Sequence, residues 1–93
     1  MNYLITYDIS DDKSRTKLSD LLDKYGYRAN YSVYECELNK TKLRGLLYQI
    51  ESQGLIDHKY DSIRFYHICQ NCTAKSFEIG RRPEPFEPRE MFI

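Results

Sequence analysis

Gly26-Tyr27-Arg28-Ala29-Asn30-Tyr31-Ser32-Val33-Tyr34-Glu35-Cys36-Glu37-Leu38 is the stretch that decides the fold. It reads as two extended pieces, a short one around Tyr27 to Asn30 and a longer one from Val33 to Leu38, with a turn near Asn30 to Ser32. Side chains alternate along a strand, so Tyr34, Cys36 and Leu38 share one face while Val33, Glu35 and Glu37 share a wetter one. A helix of the same pattern lies on each side. Upstream, Leu18, Leu21, Leu22 and Tyr25 fall at i, i+3, i+4 and i+7, with Arg15, Lys17 and Lys24 on the polar side. Gly26 is expected to stop this helix by taking the left-handed conformation. Downstream, Asn39 suits an N-cap, Leu43, Leu46, Leu47 and Ile50 repeat the spacing, and Gly54 ends the run.

Further out stand two more strands. Residues 2–9 combine Tyr3, Leu4, Ile5, Thr6, Tyr7 and Ile9 and stop at Ser10-Asp11-Asp12; Ser62-Ile63-Arg64-Phe65-Tyr66-His67-Ile68-Cys69 is equally rich in strand formers. The order β-α-β-β-α-β is the split pattern of α+β, ferredoxin-like folds, in which two helices cover one face of an antiparallel sheet. Ser76-Phe77-Glu78-Ile79 is expected to add a short C-terminal strand, and Pro83, Pro85 and Pro88 to keep the remaining tail extended. The chain therefore divides into a ferredoxin-like domain, 1–79, and a tail, 80–93.

Ninety-three residues with 41% hydrophobic content make a small core, which association with a second copy would relieve. Nine tyrosines and four phenylalanines suit a sheet and equally a protein or nucleic-acid interface. Fourteen basic and fourteen acidic residues cancel, so net charge does not demand a nucleic-acid partner. Residues 13–44 nevertheless hold eight Lys or Arg against four acids. The opening residues lack the basic and long apolar regions of a signal peptide, and no run reaches the ~18 apolar residues of a membrane span, so no membrane partner and a cytoplasmic protein are expected. Three cysteines leave one unpaired in any intramolecular scheme, consistent with free thiols in a reducing compartment.

Asp8 ends the first strand where a surface opens. A carboxylate there suits Mg²⁺, which takes hard oxygen ligands and keeps several waters with one or two from protein; equally, Asp8 suits a helix cap or the amides of its loop. A symmetric dimer with its axis near this strand end would bring two copies together. Arg15 and Arg28 are suited to phosphate by their planar forks, or to solvent as surface charges. Ser10 and Ser32 fit turns, and His58 and His67 have no partner set for general-base work. Cys69-Gln70-Asn71-Cys72 offers two ligands where structural zinc wants four. Gly-rich phosphate loops, repeats and RNP-type aromatic signatures are absent from the sequence.

Tyr3-Leu4-Ile5-Thr6-Tyr7-Asp8-Ile9, Gly26-Tyr27-Arg28, Ser32 to Leu38, and Asp61 to Tyr66 with the trailing Cys69-x-x-Cys72 together carry a family resemblance across residues 2–79. The chain resembles the second of the two core CRISPR-associated proteins of spacer acquisition, also known as CRISPR-associated endoribonucleases. That resemblance implies a homodimer in which Asp8 from both subunits forms a shared Mg²⁺ site, and a terminal strand near 76–79 pairing with the partner's sheet. It places Arg15, Arg28 and Tyr34 at positions linked with phosphodiester cleavage or backbone binding. Tyr34 stands where many relatives have Phe, so its hydroxyl needs a partner. Two roles are implied: a scaffold beside the CRISPR integrase that holds the phosphates of duplex DNA, and a metal-dependent endonuclease acting on DNA or single-stranded RNA. Outside the family, messenger-RNA toxins and ligand-sensing dimers share the same architecture.

Overall fold

Alternation of β-branched and aromatic residues builds β1 (Asn2–Asp8), which becomes one of the two inner strands of a four-stranded sheet ordered β2-β3-β1-β4. This is a computed structural model, and it describes residues 1–87. Within them the remaining elements are α1 (Asp12–Asp23), β2 (Gly26–Asn30), β3 (Val33–Glu37), α2 (Lys40–Ser52), β4 (Ser62–Ile68) and α3 (Gln70–Lys75). β1 runs antiparallel to β3, with Ile5 opposite Tyr34, and antiparallel to β4, with Asp8 opposite Ser62. β2 pairs with β3 alone, Arg28 opposite Tyr34, with a bulge between Arg28 and Asn30. The architecture is α+β and ferredoxin-like, in the expected order.

The core lies between the helices and one sheet face. Ile5, Tyr7 and Ile9 of the first strand and its exit, Tyr34, Cys36 and Leu38 of the third, Leu18, Leu21 and Leu22 of α1, and Leu46, Ile50 and Leu55 around α2 form its buried cluster. Local chemistry sets the helix starts: the Asp11 carboxylate accepts from Ser14 N and the Asn39 side chain from Lys42 N, each satisfying an amide that the helix leaves free. Gly54, at φ +63°, closes α2 as expected. Among the described residues no helix is long and apolar enough to cross a membrane.

Three expectations need correction. Gly26 does not take the left-handed conformation: α1 is capped at Lys24, and Gly26 already belongs to β2. A Cβ there would stand 2.2 Å from the Glu35 carbonyl oxygen and 2.6 Å from Cys36 Sγ, so the glycine serves close approach of two strands. Leu47 is exposed; the core-facing stripe of α2 is the narrower set Leu43, Leu46 and Ile50. Residues 76–79 form no ladder among the described residues: they follow α3, and Phe77 and Ile79 are 70% and 89% exposed.

The tail is not simply extended. Glu87 N donates to the Glu84 carbonyl in a turn with Phe86 at φ 58°, and Phe86 N donates to Glu35 Oε1 at 3.0 Å, returning the chain to the sheet. Pro83 and Pro85 precede this contact, whereas Pro88 lies outside the described residues.

Candidate functional site

Alternation assigns each side of the sheet its residues. Ile5 and Tyr7 point under the helices, so Asn2, Leu4, Thr6 and Asp8 point to the open face, together with Val33, Glu35 and Glu37 of β3 and Ser62, Arg64, Tyr66 and Ile68 of β4. Asp8 is exposed at the end of this row. It caps nothing: Asp11 holds the cap of α1, and Asp61 holds the loop, its Oδ1 accepting from both Ser10 N and Ser10 Oγ at 3.0 Å and its Oδ2 from Asp57 N. Those amides keep Asp61 ionised to lower pH than a free aspartate.

The Asp8 carboxylate has no hydrogen-bond or ion-pair partner among the described residues. It therefore fits a hard divalent cation as a single oxygen donor. No group of three or more His, Cys, Asp or Glu that could hold a metal ion converges among the described residues.

Arg15 stands beside the same strand end but on the helix side. Its Nη1 donates to the Ile9 carbonyl at 2.9 Å, and its Nη2 is paired with Asp12, which aims the guanidinium along the β1–α1 loop. Arg28 is fixed elsewhere. Its Nε and Nη2 donate to the Tyr31 carbonyl at 3.3 and 3.0 Å, the same oxygen that accepts from Tyr7 Oη at 3.1 Å. Its guanidinium lies 5.9 Å from the centre of the Tyr34 ring. The Tyr7 hydroxyl, foremost, raises the pKa of Arg28 further, so its charge is permanent.

Tyr34 is fully buried, and its hydroxyl has the partner it requires. It donates to Asp23 Oδ1 at 2.7 Å and stands 2.8 Å from Ser19 Oγ, which completes the pair as donor. Burial, and then the hydrogen bond to Asp23, pushes its pKa up to about 12. Tyr34 reaches no surface; it supports Arg28 from beneath.

The four residues singled out from sequence are thus not gathered on one surface of a single chain. Arg28 and Tyr34 form one unit, Arg15 another, and Asp8 faces the open side. Sequence reasoning missed the cations that Arg28 does meet. Arg81 and Arg82 of the tail join Arg28, Asn30 and the 85%-exposed Tyr31 around a groove of about 370 Å³. The adjacent Arg-Arg pair was a usable signal. Arg64, opposite Thr6 on the open face and 6.0 Å from the Tyr66 ring centre, was missed as well.

Comparison with known proteins agrees with this fold. A family model described as CRISPR associated protein Cas2 matches residues 1–76. The CRISPR-associated endoribonuclease Cas2 3 of Synechocystis sp. is 45% identical over 91 residues, covering 98% of this chain and 97% of that protein. The crystal structure of Streptococcus pyogenes Cas2 superposes with a TM-score of 0.73 at 29% identity, covering 86% of this chain and 100% of its own. A chain of a partial Cas6-RT-Cas1-Cas2 complex matches with a TM-score of 0.63 at 36% identity, covering 84% of this chain and 89% of its own.

Proposed function

The chain belongs to the Cas2 family of CRISPR-associated proteins, and on that premise we propose that it serves in spacer acquisition as a dimeric, duplex-binding scaffold beside a Cas1-type integrase. The observation that carries the proposal is the likeness to a chain solved within a complex that contains Cas1. The messenger-RNA toxin and the ligand sensor, which share the architecture, draw no support from these matches.

The surface chemistry supports the same role. Arg28, Arg81 and Arg82 line one groove with Asn30 and Tyr31, and guanidinium forks match phosphate oxygens in geometry as well as charge. Backbone contacts of this kind position a duplex without reading its bases. Tyr34, lying under Arg28 and tied to Asp23 and Ser19, keeps that guanidinium from collapsing inward. Arg15 lies apart from this groove, at the start of α1.

The open face supports dimerisation. Leu4, Val33, Tyr66 and Ile68 leave apolar surface uncovered there, and a second copy related by a two-fold axis would cover it with the same residues. Phe77 and Ile79, both exposed, would enter the partner's sheet as the terminal strand.

A second reading, metal-dependent cleavage, rests on Asp8 being exposed and unpartnered. Two copies of Asp8 would hold Mg²⁺, which when bound supplies Lewis acidity that activates water against a phosphodiester. Arg15 and Arg28 would bind and orient the backbone for either role.

The test is one set of assays on the full chain: binding of labelled duplex DNA across a salt series, and cleavage of duplex and RNA with Mg²⁺ or EDTA. Wild type should bind with steep salt dependence, Asp8→Ala should bind equally, and Arg81→Ala with Arg82→Ala should lower the slope of log K against log salt by about two. Salt-independent binding, or none, would overturn the scaffold. Mg²⁺-dependent cleavage that disappears in Asp8→Ala while binding persists would establish the nuclease reading alongside it.

A further inference from the structure

Cys69 and Cys72 are spaced as a pair, and the structure leaves both of them exposed. A free cysteine ordinarily packs as a small apolar residue, which is what Cys36 does at 1% exposure. Cys69 and Cys72 do neither that nor a job for which cysteine is well suited. Cys69 stands at the N-cap of α3, where Ser, Thr, Asp or Asn would satisfy the backbone better, and its Sγ accepts from Cys72 N at 3.4 Å.

Their frame is rigid. Thr73 N and Thr73 Oγ1 both donate to the Cys69 carbonyl, at 2.9 and 3.1 Å, and Ser76 Oγ donates to the Cys72 carbonyl at 2.8 Å. Asn2 Nδ2 donates to Thr73 Oγ1 at 3.1 Å, which ties this turn to the start of β1. Two exposed thiols are therefore held one helical turn apart, with Cys72 N bonded to Cys69 Sγ, and among the described residues no third ligand joins them to make a metal site.

We propose that Cys69 and Cys72 form a surface dithiol that cycles to an intramolecular disulfide by exchange with a low-molecular-weight disulfide. The thiolate of Cys69 attacks one sulfur of the small disulfide, forming a mixed disulfide and releasing one small thiolate, which takes up the proton lost from Cys69. The thiolate of Cys72 then attacks Cys69 Sγ, forming the Cys69–Cys72 bond and releasing the second small thiolate, protonated in turn by the proton from Cys72. Two electrons pass from the protein pair to the small disulfide, which ends as two thiols. The order of attack follows from the local bonds. Cys69 is held below the ordinary thiol range, first by the Cys72 thiol and then by the Cys72 amide, whereas Cys72 is raised by its neighbour. Cys36, pushed up to about 12 chiefly by burial, takes no part.

The experiment is incubation of the full chain, native at neutral pH, with oxidised glutathione, followed by intact and peptide mass spectrometry; trypsin leaves both cysteines in the one peptide that spans residues 65–75. Wild type should lose two hydrogens within that peptide and regain them with dithiothreitol. Cys72→Ser should instead trap one glutathione on Cys69, and Cys69→Ser should react about tenfold more slowly than Cys72→Ser. Because Cys69 caps only a six-residue surface helix, both variants should fold, which circular dichroism checks. Three results would overturn the proposal: disulfides formed only between chains, stable double glutathionylation without ring closure, or alkylation of Cys69 and Cys72 at the same rate as Cys36.

Discussion

The two faces of the sheet differ in how much of their chemistry one chain completes. Under the helices the buried hydroxyls meet partners: that of Tyr34 lies between Ser19 and Asp23, and that of Tyr7 reaches the Tyr31 carbonyl. Ile5, Leu18, Leu22 and Leu46 are fully buried there. On the opposite face Leu4, Val33 and Ile68 are partly exposed, Tyr66 is 43% exposed, and Asp8 has no partner among the described residues. The first face specifies a fold and the second specifies a need for other molecules. Substitutions on the two faces should therefore separate folding from assembly.

The largest effect is expected where the helix-side sheet is tightest. Gly26→Ala forces a methyl group against the Glu35 carbonyl oxygen and Cys36, and both obstacles include backbone atoms that side-chain rotation cannot move. It should destabilise the chain by more than about 3 kcal/mol, read as the shift of the urea midpoint at constant slope. Leu18→Ala should follow at about 3 kcal/mol, since Leu18 is fully buried at the centre of the cluster and its removal leaves a cavity. If either cost less than about 1 kcal/mol, this face would be far looser than its packing indicates.

How much of this was legible in the sequence follows the same division. The period-two run from Val33 to Leu38 correctly placed Tyr34, Cys36 and Leu38 inside, and Asn39 and Gly54 marked the ends of α2, because each signal is local. Gly26 was misread because a glycine after a helix looks the same whether it serves a positive φ or a close approach; only the register of β2 on β3 distinguishes them. α3 went unread because six residues carry no apolar periodicity and its two cysteines suggested a metal motif instead. For the site, Asp8, Arg15, Arg28 and Tyr34 were nameable from motif resemblance, yet their separation onto two faces was not, since it depends on the sheet order. Arg81 and Arg82 escaped because the tail was read for its prolines, and the turn at Phe86 that returns it to Glu35 has no pattern in sequence.

An intermediate effect should come from the buried polar cluster around Tyr34. Tyr34→Phe retains the ring beneath Arg28 but leaves the buried Ser19 hydroxyl short of a partner, at a cost of about 1 kcal/mol near neutral pH. Its pH signature is more diagnostic. Tyr34 titrates at about 12 in the folded chain and near the ordinary 10.0 when unfolded. A raised folded value means that its stabilising contribution is whole below about pH 10 and is lost as pH climbs toward 12. Cys36, raised from 9.0 to about 12, acts with the same sign over a window that opens about one pH step earlier. Wild type should lose stability progressively from pH 9 to 12, and Tyr34→Phe should flatten the upper part of that curve. An unchanged curve in Tyr34→Phe would show that the hydroxyl is solvated in the native chain.

The smallest effect on folding should fall on the open face, where it is most informative. Leu4→Asp places a carboxylate between Glu35 and Tyr66 in the ladders, on a side chain that is partly exposed. Folding stability of the isolated chain should fall by less than about 1 kcal/mol, because the substituted side chain keeps contact with solvent. Association should respond quite differently. In a two-fold interface each substituted residue appears twice, so two new charges would have to be desolvated together, each beside a glutamate. Sedimentation equilibrium should therefore show wild type as a dimer and Leu4→Asp as a monomer with an unaltered thermal midpoint at low concentration. A variant that stays dimeric would move the interface off this face, and with it the ground for two Asp8 carboxylates meeting across the axis. A variant that unfolds would mean that the open face contributes to the chain's own stability, and the division between the two faces would fail at its weaker side.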